Sequence, residues 1–249
     1  MSEHSSIEWT HSTWNPVTGC TEVSAGCDHC YARTFAERFR GVSGHPYAQG
    51  FDVTLWPERL DTPTRWKRPR LIFVNSMSDL LHKQVPDDFI VQVFHTMARR
   101  APQHTYQVLT KRPSRLVHTT LLAQIKEAIG PWPAHVWLGV SVECQQYTWR
   151  VDKLRATPAP VKFISAEPLL GPIQFDLAGI AWLIAGAESG HGARPMEEQW
   201  VRSLRDQATA AQVAFFYKQN ACRGRKVPVP VLDGKRWQQL PVERTARRN

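Results

Sequence analysis

Six short, almost unbroken apolar runs recur from residue 71 onward: LIFVN (71–75), YQVLT (106–110), VWLGVSV (136–142), KFISAE (162–167), WLIAGAE (182–188) and AFFYK (214–218). They are rich in β-branched and aromatic residues and lack polar alternation, the pattern of strands covered on both faces in a parallel sheet. Between them lie segments of helical period. DDFIVQVFHTMARRA puts Phe89, Val93, Phe94 and Met97 on one stripe behind an Asp pair suited to a first turn. PSRLVHTTLLAQIKEAIG does the same with Leu116, Leu122, Ile125 and Ile129, between Pro113 and Gly130, and EEQWVRSLRDQATAAQ predicts a further helix. An earlier strand is expected at roughly Ile7 to Trp14, followed by a helix in YARTFAERFRG with Phe35 and Phe39 at i,i+4.

Strand and helix alternating in this way predict an α/β fold. The expectation is a single (β/α) TIM-barrel-like domain over residues 1–222, a partial barrel of six to seven parallel strands, with a basic C-terminal extension over 223–249. The strand ends are polar. Asn75, Ser76 and Asp79 follow the first run, Lys111 and Arg112 the second, Ser141 and Glu143 the third. Ser165 and Glu167, Glu188 and Ser189, and Lys218 and Gln219 close the rest. One polar residue after a strand is where a strand stops. Six such ends in succession predict one polar mouth, since the C-terminal ends of barrel strands share a face.

The loop from the first strand to the first helix carries Cys20-x6-Cys27-x2-Cys30, three of five cysteines. An odd count argues against a disulfide framework and for metal or thiol chemistry. A structural zinc would need a fourth ligand, with His29, Cys144 or Cys222 as candidates. Three thiols also fit a [4Fe–4S] cluster with one iron left open. Cys222 reads as a small buried hydrophobe. Cys144, beside Glu143 at the expected mouth, is a candidate hydrogen-atom donor.

Charge adds a partner hypothesis. The net charge is +9, and residues 223–249 supply +6 of it, from eight Lys/Arg against Asp233 and Glu243. RWKRPR (65–70) mixes Trp66 with four cations, a composition suited to a phosphate backbone and an unstacked base, although a solvated tail and loop have the same composition. No apolar run is long enough to span a bilayer, and MSEHSSIEWTHSTW lacks a charged n-region and apolar h-region, so a cytoplasmic protein without membrane contact is expected.

The three-Cys loop after a first barrel strand resembles the radical S-adenosylmethionine superfamily. WNPVTGC, GCDHCYA, FVNSMSDLLH, LTKRP, LGVSVE, FISAEPLLGP and AGAESG resemble its phage- and bacterium-encoded three-Cys-motif branch, distantly similar to spore photoproduct lyase. The first interval, x6, departs from the superfamily's usual x3. The resemblance implies Cys20, Cys27 and Cys30 as cluster ligands. It implies Ser76 and Asp79 at the cofactor's amino group, and Ser141, Glu143, Ser165, Glu167 and Glu188 along its ribose and carboxylate. Lys111 and Arg112 would neutralise a carboxylate or phosphate. It further implies reductive cleavage of S-adenosylmethionine, with electrons from a flavodoxin- or ferredoxin-type reductant. Joined to the basic surface, the expected activity is base modification or repair on nucleic acid or a nucleotide. Two alternatives stand beside it: a zinc-containing nucleic-acid-binding protein without radical chemistry, and a radical enzyme acting on a small metabolite.

Overall fold

Residues 4–117, 120–190, 192–222 and 225–241 are described by a computed structural model. The chain forms a mixed α/β fold around one curled eight-stranded sheet. Its strands are β1 (Ser12–Trp14), β2 (Leu71–Val74), β3 (Thr105–Thr110), β4 (Val136–Ser141), β5 (Lys162–Ala166), β6 (Trp182–Gly186), β7 (Ala214–Cys222) and β8 (Arg225–Pro228). They lie side by side in chain order. The pairings from β1 to β7 are all parallel, while β8 folds back antiparallel on β7.

Alternation is present in the strands after all, but between two apolar environments. Outward positions such as Ile72, Val74, Tyr106, Val108, Leu138, Val140, Ile164, Leu183 and Phe215 join the main core. Helices α1 (Tyr31–Glu37), α2 (Asp87–His95), α3 (Leu121–Ile129), α4 (Trp149–Arg155) and α5 (Glu198–Ala210) follow their strands in chain order. Of these, α4 packs on β4 and β5, and α5 on β6 and β7. Inward positions form a second, largely aromatic core of Trp9, Leu71, Phe73, Trp137, Phe163, Trp182, Ile184 and Phe216. Period two on a sheet buried on both sides reads as a continuous apolar run.

Three local expectations change. The first strand is shorter than Ile7 to Trp14, because the chain turns at its start, with the Thr10 amide donating to the Ile7 carbonyl at 3.2 Å. The α3 stripe is Leu121, Ile125 and Ile129, whereas Leu122 is only half-buried. A separate single turn, Ser114–Val117, precedes α3 and holds Leu116, so the two segments do not share one phase. Beyond residue 222 the chain returns to the sheet over Arg225–Pro228. β8 pairs with β7, Leu232 is buried, and the Trp182 indole donates to the Gln239 carbonyl at 2.9 Å. Among the described residues no helix is long and apolar enough to cross a membrane.

Candidate functional site at the C-terminal ends of the strands

The inner face of most parallel strands changes from apolar to polar toward the C-terminal end. Steps of two lead from Phe73 to Asn75, from Leu109 to Lys111, from Phe163 to Ser165 and Glu167, and from Phe216 to Lys218. On β4 the sequence is Trp137, Gly139, Ser141 and Glu143. Gly139 is required there, since a Cβ would overlap the Phe163 ring. These ends surround a cleft of about 440 Å³. Cys20, Cys27, Cys30, Ser76, Asp79, Lys111, Ser141, Ser165, Glu167 and Glu188 all line it. Glu143 and Cys144 do not.

The cysteine loop is pinned at three corners by later parts of the chain. At Thr21, Arg112 donates to the backbone carbonyl at 2.8 Å and to the hydroxyl at 3.0 Å. His82 Nδ1 accepts from the Gln84 amide, so its Nε2 carries the proton and donates to Thr21 Oγ1 at 2.8 Å. Burial, then Arg112, pushes the His82 pKa down, in keeping with a neutral ring. At the centre, Ser24 Oγ donates to Glu143 at 2.7 Å, and a Cβ on Gly26 would overlap the Glu143 side chain. Glu143 is fully buried between Lys111 and Arg150, the latter at 2.8 Å. Burial alone would raise its pKa, but the two cations and the hydrogen bonds from Lys111 and Ser24 hold it below the usual carboxylate value. At the third corner Arg194 donates to the Ala25 carbonyl at 2.7 Å and lies 3.4 Å from Asp28. Glu188 holds that guanidinium at 2.5 Å, and its carboxyl is likewise kept low against burial by Arg194. His29 Nδ1 donates to the Gly192 carbonyl at 2.9 Å.

Three carboxylates that the resemblance assigns to cofactor contact are therefore engaged by the protein itself. Besides Glu143 and Glu188, Asp79 accepts from Thr110 Oγ1 at 2.8 Å and from the amides of Leu81 and Lys111 at 3.0 Å each. Among the serines, Ser76 Oγ donates to Asn15 Oδ1 at 3.2 Å and Ser165 Oγ to Glu167 at 3.0 Å. Cys20, Cys27, Cys30 and Cys144 are free thiols, each half-buried. Burial, then Asp79, pushes the Cys20 pKa up to about 11, with Arg112 working against the rise. Among the described residues no three His, Cys, Asp or Glu side chains stand together closely enough to hold a metal ion. Cys144 sits at the start of a short turn behind Glu143, where burial raises its pKa. The Cys222 side chain lies outside the described residues.

The chain belongs to the family described as "Protein of unknown function (DUF5131)". Its model matches residues 4–241 and so takes in the whole cleft, β8 and the segment that packs against Trp182. No curated protein and no solved structure matches the chain.

Within this family fold, sequence reasoning did not find Ser24, Arg150, Arg194 or His82. Arg150 sits in the first turn of α4 and Arg194 in a loop, both remote from the thiols in sequence, and no local pattern pointed to either. The RWKRPR cluster precedes β2, at the strand end opposite the cleft, and Arg70 covers the half-buried Trp66 ring at 5.2 Å. A larger groove of about 1510 Å³ also opens at that opposite end, but among the described residues His135 and Lys235 are its only ionisable lining groups. Chemistry-bearing groups gather at the cleft.

Proposed function

We propose that the curled sheet is a partial (β/α) barrel. Its cleft holds a [4Fe–4S] cluster on Cys20, Cys27 and Cys30, and the protein is a radical S-adenosylmethionine enzyme acting on nucleic acid or a nucleotide. One observation carries the reading: three free thiols of a single loop open onto the same cleft as the polar ends of the parallel strands. The donor types suit a cluster bound through three thiolates, being half-buried and free of disulfides, although the three must draw closer together on loading. When bound, the cluster supplies one-electron cleavage of S-adenosylmethionine as a source of a carbon radical.

The chain's own residues prepare the loop for that role. Glu143, Arg194 and Arg112 hold its backbone from three sides, so loading asks only the thiol side chains between those supports to draw together. Cys20 must lose a tightly held proton on ligation, which makes loading fall as pH falls. The aromatic inner core excludes water from beneath the cleft.

Anaerobic reconstitution with iron and sulfide tests the reading. About four irons per chain are expected, lost when Cys20, Cys27 and Cys30 are all replaced by Ala. After chemical reduction the loaded protein should convert S-adenosylmethionine to 5′-deoxyadenosine. One zinc per chain without visible absorbance would sink the proposal and favour a zinc-containing nucleic-acid-binding protein.

A further inference from the structure

The floor of the cleft holds buried polar groups that nothing in the protein satisfies. Asn75 is 2% exposed and lines the cleft, yet neither its amide nitrogen nor its amide oxygen has a partner. Trp9, 3% exposed and also lining the cleft, has an unpartnered indole N–H. Both groups open onto the same cleft. The Trp9 ring packs on Phe73 at 4.7 Å, and Asn75 follows Phe73 by two residues, just past the end of β2. Gln107, opposite Phe73 on β3, donates to the Trp9 carbonyl at 3.2 Å and leaves its own side-chain oxygen without a partner. A buried polar group left unpaired costs about 1–3 kcal/mol, so several on one patch call for an explanation outside the chain.

The patch is neutral. The lysines that line the cleft are each paired, Lys111 with Glu143, Lys218 with Glu167 at 3.1 Å and Lys226 with Glu8 at 2.6 Å. The matching ligand is thus an uncharged planar group with a donor and an acceptor side by side, lying over aromatic and aliphatic side chains. That is the edge of a nucleobase, which an Asn amide reads with paired hydrogen bonds. A volume of about 440 Å³ lies within the range of small-ligand sites.

We propose that Asn75 and Trp9, backed by Gln107, form a recognition site for the edge of a substrate nucleobase. The proposal rests on the nucleic-acid part of the function proposed above and not on the thiols. The left-handed backbone at Asn75 (φ 61°) supplies a control, because Gly adopts it freely while removing the amide.

The test is calorimetric titration of the full chain with the four 2′-deoxynucleosides and with a single-stranded mixed-sequence oligonucleotide. Nucleoside binding should weaken about tenfold in Asn75→Gly and in Asn75→Asp. Trp9→Phe, which keeps the ring against Phe73, should weaken it about fivefold and asks the same question should the Asn75 variants lose their fold. Loss on both probes marks a base within nucleic acid as the ligand; loss on nucleosides alone marks a free nucleoside. Unchanged affinity in folded variants, or binding no tighter than that of toluene, would overturn the proposal. Displacement of bound nucleoside by S-adenosylmethionine would overturn it as well, assigning the floor to the cofactor. Iron loading without nucleoside binding defeats this proposal alone, and nucleoside binding without iron loading defeats the cluster alone.

Discussion

Glu143 and Cys20 show how far a side chain's role departs from its position in a motif. Glu143 stands at a strand end, where a ligand contact is expected, yet it is fully buried and holds two cations and Ser24. Replacing it with Gln leaves Lys111 and Arg150 facing a neutral group, and a buried ion pair broken from one side costs about 3–5 kcal/mol. Chemical denaturation should register a loss of that order. Its pH dependence has a definite sign. A carboxyl held below the usual value of about 4.3 contributes stability above that value, and the contribution is lost as pH falls through the lowered folded-state pKa. The loop thiols should therefore react faster with 4,4′-dithiodipyridine as the pH is brought below 4 than thiol chemistry alone predicts. Cys20 behaves in the opposite sense. With its pKa at about 11, its alkylation should climb steadily through pH 9 and 10, and Arg112→Met should shift that climb to higher pH. Mass spectrometry of pH-stepped alkylation separates the two.

At the scale of elements, the apolar runs and polar ends of the parallel strands were readable because period two and sheet burial act locally. LIFVN, VWLGVSV and WLIAGAE each became a strand within one or two residues of the expected span. The cysteine loop's supports were not readable. Ser24 meets Glu143 across 119 positions and Ala25 meets Arg194 across 169, and no local pattern encodes such pairings. Even so, the convergence of the three thiols with Asp79, Lys111, Ser165 and Glu188 on one cleft followed from topology alone, since parallel strands share an end. Two glycines carry the element-scale prediction. Gly139→Ala forces a methyl into the Phe163 ring, and overpacking of this kind costs about 1–3 kcal/mol. Phe163→Leu should recover part of that loss in a double-mutant cycle followed by thermal melting. Gly26→Ala meets Glu143, which its cations do not allow to move, so the loop should shift instead and iron uptake should drop.

For the molecule as a whole, the basic extension expected after residue 222 joins the sheet over Arg225–Pro228 and hydrogen-bonds back to β7 through Trp237 and Gln239. β8 covers the edge of β7, the Tyr217 amide donates to the Trp237 carbonyl at 2.8 Å, and Leu232 is buried. Composition misled here because a strand at a sheet edge is allowed, even favoured, to carry lysine and arginine. Truncation after residue 222 should bare a β7 edge and lower the melting temperature or send the protein into aggregates, as size-exclusion chromatography and circular dichroism would record. The same wiring has a consequence during synthesis. The thiols are made before the groups that hold their loop, and the guanidinium that holds Ala25 is translated 169 residues after it. At ribosomal speeds of about 5–20 residues per second that is a delay of roughly 10–30 s, during which the nascent chain presents three unguarded cysteines. In that interval the loop is a flexible tether, and its full set of supports exists only once the sixth parallel strand and the segment after it have left the ribosome.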